Sequence, residues 1–416
     1  MAETTTAAVT GHDWWGMLTD QVFLENPYPQ LRRLQEQGPI HLDTQSGMYF
    51  ILGHAAFARV VKAPEIGRDT RHWKNGWCNE EYRRRDPVGY RLFDDFQHQM
   101  INRDGIDHKR MRGMWQSSFS APAMNALAPM IQAEADRLLG RLSDQGEFDI
   151  IDEFAGPMPL RVLCNLFNLP AALDDDIRRW SASLIRVGDI MMTPEQKQEA
   201  LDALNSFKDF LRDTLAERRS KPDDSLLSVV IRAQDDGVLN EEETLVNMVS
   251  MLVAGHETTV TLVGNGLLLL LRDDGQMTRL RGDRSLVRPA VEEFLRYEPG
   301  GNMVLRVAVK DVDVCGTLIP AGSPIIGMIG AINRDPARFE RPDDLDVGRP
   351  GNAHFTFGGG PHFCLGAPLA RLEGQIAFAS LLDRWPSIAL AGQPEWRLDR
   401  LNARGLRTLP VKVGRA

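Results

Sequence analysis

The stretch from Val246 to Leu271, VNMVSMLVAGHETTVTLVGNGLLLLL, constrains the fold more than any other part of the chain. It is long enough to cross a bilayer. His256, Glu257, Thr258 and Thr259 stand at its centre, however, and neither basic flanks nor aromatic belts accompany it. Ionisable groups at mid-bilayer depth are costly, and real spans are flanked by such anchors. Asn240 ahead of Glu241, Glu242 and Glu243 reads as an N-cap with an acidic first turn. The spacing therefore predicts a helix over 241–271, on the order of 45 Å long at about 1.5 Å per residue. Such a helix would run buried through the middle of a large globular unit.

Composition supports that reading. With 43% hydrophobic and 25% charged residues, the 416-residue chain can build a sizeable core, which excludes disorder as the whole answer. A net charge of −9 argues against a nucleic-acid binder working through a broad basic face. Cys78, Cys164, Cys315 and Cys364 lie far apart with no C-x-x-C pair, which fits neither a disulfide scaffold nor a structural zinc site. The first twenty residues show no basic region followed by an apolar stretch. A cytoplasmic protein is expected, with residues 1–20 a flexible segment and no membrane contact.

Helical periodicity predicts helices over 124–142, 174–187 and 194–219, and an earlier one from Asn26 that ends at Gly38–Pro39. Strand-like stretches are 41–42, 48–52, 307–314, 317–319 and 324–327, with Pro320 to Gly322 as a turn. Residues 331–361 carry no sustained period and are expected to be an extended, irregular connection. Length alone suggests about two to three domains, yet nothing resembles a boundary. The expectation is one domain over 1–416, mainly α with a small β region.

Two constellations carry chemistry. In Phe357–Gly–Gly–Gly–Pro–His–Phe–Cys364–Leu–Gly366, three glycines and a proline form a tight loop ahead of a helix over 367–382. A thiolate at a helix N-terminus is stabilised by free N–H groups, and glycines let backbone approach a flat object. The plainer reading is a Gly-rich turn with a buried cysteine. The second constellation is Ala254–Gly–His–Glu257–Thr258–Thr259, in the middle of the long helix. A buried acid and hydroxyl there are unwelcome unless they have work to do. A mid-helix Thr hydroxyl can bond the carbonyl four residues back, here that of Ala254, and open the helix locally. The plainer reading is a polar stripe satisfied by its neighbours.

The pattern F-G-x-G-x-H-x-C-x-G resembles the haem-binding loop of the cytochrome P450 family, whose cysteine thiolate is the proximal iron ligand. The resemblance implies haem b with Cys364 on the iron, Phe357 and Gly366 shaping the loop, and His362 at a haem propionate. The mid-helix segment resembles the family's oxygen-binding groove. That implies Ala254 and Gly255 against the haem, Thr258 ordering protons and water, and Glu257 relaying protons from solvent. Glu293 and Arg296 resemble the family's E-x-x-R, which implies a structural lock with Arg349. A surface pair at that spacing would contribute only about 0.2–0.5 kcal/mol.

His108 and Arg112 resemble the H-x-x-x-R that contacts propionates, and Arg306 sits where the family has another propionate arginine. Asn333–Arg–Asp–Pro336 also matches. Ile106 and Leu345 depart from the usual proline and phenylalanine, away from the chemistry. The resemblance spans Asn26 to Val413.

It implies a monomeric mono-oxygenase that takes O2 and electrons from a ferredoxin and ferredoxin reductase. The reaction would be hydroxylation, epoxidation or O-demethylation of a small or medium apolar molecule. By family position the pocket is lined by Phe96, Ile101, Val253, Asn302, Met303, Val304 and Asn402. Asn302 and Asn402 are either hydrogen-bond donors to substrate or caps of local backbone. The charged, aromatic segment 73–85 is either a lid or an exposed loop. Lys109, Arg110 and Arg112 are either a partner-docking patch or a solvated charge run. Other readings are a peroxide-driven enzyme of the same fold, an oxidative-coupling or nitrating enzyme, and a haem-binding sensor without turnover.

Overall fold

The computed structural model describes residues 8–142, 146–189 and 191–414. At the start of the long helix, Asn240 Oδ1 accepts the N–H of Glu243, 2.8 Å away, and Glu243 Oε2 accepts the N–H of Asn240 at 3.1 Å. This closed capping box satisfies two of the helix's orphan donors. The helix runs over Glu241–Arg272, 32 residues, or about 48 Å. Helices Pro157–Leu166, Asp174–Leu184, Pro194–Ser220, Val287–Tyr297 and Ala367–Arg384 all pack against it. It is buried on nearly every side, so its apolar run is a core segment. Among the described residues no helix is long and apolar enough to cross a membrane.

A five-stranded sheet flanks the helices in the order Ile40–Asp43, Met48–Ile51, Pro324–Met328, Met303–Ala308, Ile66–Gly67. Only the pairing of Met48–Ile51 with Pro324–Met328 is parallel. Among the described residues three smaller sheets accompany it, giving a mainly α domain with a small β region. All four cysteines are free.

Several elements differ from expectation for local reasons. The helix expected over 124–142 is two helices, Ala121–Asn125 and Ala128–Arg141. Pro129 has no N–H to donate and so sits in a new first turn. The strand expected over 307–314 divides into Met303–Ala308 and Val312–Val314, which belong to different sheets. Between them the N–H groups of Val309 and Lys310 turn to the carbonyl of Glu65.

The flexible segment expected over 1–20 does not extend to its second half. Trp14–Thr19 is a helix, and the Trp14 ring stacks on Phe50 with centroids 3.8 Å apart. Residues 1–7 lie outside the described residues.

Residues 73–85 are held in place. Trp77 is buried and its Nε1 donates to Thr70 Oγ1 at 2.8 Å, while Asn79 caps the helix Glu80–Arg85. Lys197, at the start of Pro194–Ser220, pairs with Asp86. Trp73, Asn75, Gly76, Trp77, Tyr82 and Arg85 of this segment line a cavity together with Gln196 and Lys197 of that helix.

Candidate active site

Cys364 ends a loop closed by its own N–H, which donates to the carbonyl of Phe357 at 2.9 Å. The N–H groups of Gly366 and Ala367, at the start of Ala367–Arg384, point to the sulfur. Burial pushes the thiol's pKa up, and those N–H groups with Arg112 and Arg371 oppose it. The side chain is accessible although it lies deep in the protein, so it opens on an internal space. One of the loop glycines serves a neighbour within the protein. Gly360 has φ +66°, and a Cβ there would lie 1.9 Å from the carbonyl oxygen of Val61. Only glycine allows that approach.

In the centre of the long helix, Ala254 and Thr258 are exposed while Val253, His256, Glu257 and Thr259 are buried. Ala254 and Thr258 are four residues apart and so share a face. Thr258 Oγ1 donates to the Ala254 carbonyl at 2.6 Å, as its spacing predicted. Glu257 points elsewhere and is paired with Arg400 at 2.9 Å and Arg397 at 3.2 Å. His256 Nδ1 lies 3.9 Å from Glu257 Oε1. Burial opposes ionisation of Glu257, yet His256, Arg400 and Arg397 hold it below the usual carboxylate range. This acid is therefore an anchored carboxylate at neutral pH. Neither arginine carried a local sequence signal, because they meet Glu257 across about 140 residues.

A cluster of guanidinium and imidazole groups gathers beside the cysteine loop. His108 and His362 rings lie 4.3 Å apart, and Arg112 Nη2 donates to the Phe363 carbonyl at 2.7 Å. Arg306 is 4% exposed, and among the described residues its guanidinium donates only to the neighbouring Leu305 carbonyl. Burial, then Arg68, lowers its pKa to about 9. Burial likewise lowers Arg68 to about 10, and the Arg68 Nε is buried without a partner. His108 is lowered to about 4 by burial, His362 and Arg112. The carboxylate among them is Asp104, which accepts from His362 Nε2 at 2.9 Å and from the N–H groups of Arg68 and Asp69. Buried guanidinium groups short of anionic partners call for an added anion. The two propionates of a haem meet that demand, so the residues present fit the group. Arg68 and Asp104 were not found from the sequence, since neither belongs to a recognisable motif.

Glu293 and Arg296 are both fully buried and joined twice at 2.8 Å. Arg349 Nε adds contacts to Glu293 at 3.0 and 3.1 Å. Arg296 also donates to the carbonyls of Asn333, Pro342 and Asp344. The irregular stretch expected over 331–361 begins in a short helix, Ile329–Ile332, and is then tied to this lock.

A cavity of about 1020 Å³ lies next to the exposed face of the long helix. Phe96, Ile101, Val253, Ala254, Met303 and Asn402 line it as expected. Val304 does not, because strand residues alternate faces; Met303 and Leu305 face the cavity while Val304 packs on the far side of the sheet. Asn302 is also displaced, into a smaller pocket beside Leu18 and Phe23. Asn402 Oδ1 accepts the N–H of Met303 at 3.0 Å, so that amide caps backbone. Arg110 is not part of a free patch, since it pairs with Glu243 at 2.7 Å. Arg112 turns inward to Phe363, and Lys109 remains exposed.

Comparison with known proteins agrees with this geometry. The cytochrome P450 family model matches residues 75–413. The chain is 37% identical to a vitamin D(3) 25-hydroxylase of Pseudonocardia autotrophica, covering 99% of this chain and 98% of the relative. It is 36% identical to the 6-deoxyerythronolide B hydroxylase of Saccharopolyspora erythraea, over 76% of this chain and 78% of that one. Among solved structures, myxobacterial cytochrome P450 CYP267B1 in complex with myristic acid superposes with TM-score 0.87 at 33% identity, covering 96% of this chain and 99% of that chain. The chain therefore belongs to the cytochrome P450 family, mono-oxygenases that carry haem b on a cysteine thiolate and use O2 with a redox partner.

Proposed function

We propose that this enzyme hydroxylates a large, mainly apolar molecule with electrons from a ferredoxin, with Cys364 as the iron ligand and Thr258 and Glu257 managing protons. The observation that carries the reading is Thr258, exposed on the long helix and bonded to the Ala254 carbonyl at 2.6 Å. Bound haem supplies the oxidising chemistry, with the thiolate donating electron density to favour O–O cleavage.

The chain's own work is positional and protic. His108, Arg112, Arg306, His362 and Arg68 would hold the propionates, with Asp104 orienting His362. Ala254 would lie against the haem face, while Gly255 makes room for Leu163, whose side chain a Cβ there would approach to 2.9 Å. Thr258 Oγ1 gives its proton to the Ala254 carbonyl, which fixes its direction and leaves its lone pairs free to accept on the exposed face of the helix. Glu257 would accept protons only as it exchanges partners with Arg397 or Arg400, which couples delivery to motion of residues 397–400.

Val253, Phe96 and Met303 exclude water and orient apolar substrate. The cavity volume of about 1020 Å³ stands at the upper end of the roughly 300–1,000 Å³ typical of ligand sites. Bound haem would take part of that volume, since Ala254 and Arg68 line it. The relatives named for vitamin D(3) and 6-deoxyerythronolide B favour a larger substrate than the sequence suggested.

The reading is tested with two variants. Cys364→Ser should abolish the carbon monoxide absorption typical of thiolate-ligated haem; retention of that band would remove Cys364 as ligand. Thr258→Ala should keep the band but divert most electrons to peroxide, cutting product per NADPH by roughly tenfold. Fully coupled turnover in Thr258→Ala would remove the proton role.

A further inference from the structure

Two acidic side chains line the large cavity, and they differ in what neutralises them. Asp399 is paired with Arg186 at 2.7 Å. Asp189 has no cation within ion-pair distance among the described residues. It is 9% exposed, and its Oδ1 accepts the N–H of Asn402 at 2.6 Å. Burial, reinforced by Asp399 and opposed by the 401–402 N–H groups and Arg400, raises its pKa to about 6.

The cations in the same wall are committed elsewhere. Arg400 is held through its terminal nitrogens by Glu257 and the Ala182 carbonyl, with only its buried Nε left without a partner, and Lys197 is held by Asp86. Arg85 lies over the Tyr82 ring, and Arg68 belongs to the cluster beside the cysteine loop. Beside Asp399, Arg400 and Asn402, the segment that carries Asp189 lines the cavity with the apolar side chains of Leu184, Val187, Met191 and Met192. A buried carboxylate in such a wall costs stability unless a cation reaches it. Nothing in the reaction proposed above employs it.

We propose that Asp189 is a specificity-determining anchor for a positively charged nitrogen, so that the substrate class is a large apolar molecule bearing a protonated amine. The assignment rests on the mono-oxygenase reading, because it concerns the substrate cavity of that reaction. A cationic nitrogen at Asp189 would gain ion-pair attraction in a low-dielectric wall while its apolar body fills the remaining volume. The anchor would fix which carbon faces the long helix, and so the position that is oxidised.

The test is equilibrium binding by calorimetry to the haem-loaded protein, with three probes sharing one dodecyl chain. They are dodecyltrimethylammonium, whose quaternary nitrogen cannot ligate iron, dodecanol and dodecanoate, each below its aggregation limit. The parent protein should bind the cation about 10- to 100-fold more tightly than dodecanol, and dodecanoate most weakly. Asp189→Asn keeps an acceptor for the Asn402 N–H and removes the charge. It should bring the cation's affinity down to that of dodecanol and leave dodecanol unchanged, whereas Asp189→Glu retains the preference. Equal affinity for cation and dodecanol in the parent overturns the proposal. So does a preference that survives Asp189→Asn, or an equal loss for all three probes, which would make Asp189 only a tie to the 401–402 turn. The carbon monoxide band of each variant is read separately, and its absence in the parent would defeat the mono-oxygenase reading instead.

Discussion

Glu373 is the side chain least at ease in its surroundings. It is 1% exposed, Oε2 meets Thr259 Oγ1 at 3.2 Å, and Oε1 has no partner. Burial raises its pKa from 4.5 to about 8. The folded chain thus holds a proton that the unfolded chain releases near 4.5, so stability falls as pH rises from there to about 8. Glu373→Gln imitates the protonated acid. It should stabilise the protein at pH 8 by on the order of 2 kcal/mol, with the gain shrinking toward pH 5. Urea unfolding at the two pH values checks this; equal gains at both would contradict it. Cys364 and Thr258 were legible in the sequence because a loop and a helix place their chemistry within a few residues. Glu373 was not, since an acid in a helix reads as a surface residue until its neighbours are known.

At the scale of elements, the lock of Glu293, Arg296 and Arg349 fastens the helix Val287–Tyr297 to the irregular stretch ahead of the cysteine loop. Asn352 Nδ2 and the Asp346 N–H also donate to the same carboxylate. A fully connected buried ion network is costly to break from one side. Glu293→Gln should destabilise the protein by about 3–5 kcal/mol, measured by denaturant unfolding. A loss near zero would mean that the network can do without this charge. The spacing of Glu293 and Arg296 showed a possible helical pair, but not its burial. Arg349 came only from family resemblance, because no local period connects residues 56 apart. Helix and strand interiors were readable from periodicity. Their breaks at Leu127 and Lys310 were not, since a proline's new first turn and a carbonyl borrowed from Glu65 decided them.

For the whole molecule, the cations beside the cysteine loop link folding to cofactor retention. Without an anionic partner Arg68 and Arg306 are desolvated charges that work against the fold. Haem binding should therefore raise the unfolding temperature steeply, by mass action and by neutralising them. Arg68→Leu separates the two effects. The haem-free variant should unfold at the same temperature as the parent or higher. The loaded variant should lose haem to an excess of apomyoglobin roughly tenfold faster. Unchanged haem transfer would take Arg68 out of the propionate site.

The large cavity draws its wall from Trp15, Leu18 and Leu24 near one end of the chain and from Leu398 to Asn402 near the other. A ribosome must therefore release the chain through Asn402 before that wall can close. Nascent chains halted ahead of residue 398 could already display the cysteine loop, yet they would lack the side that encloses a ligand. A small molecule that accelerates maturation of this enzyme can act only after residues 398–402 have emerged.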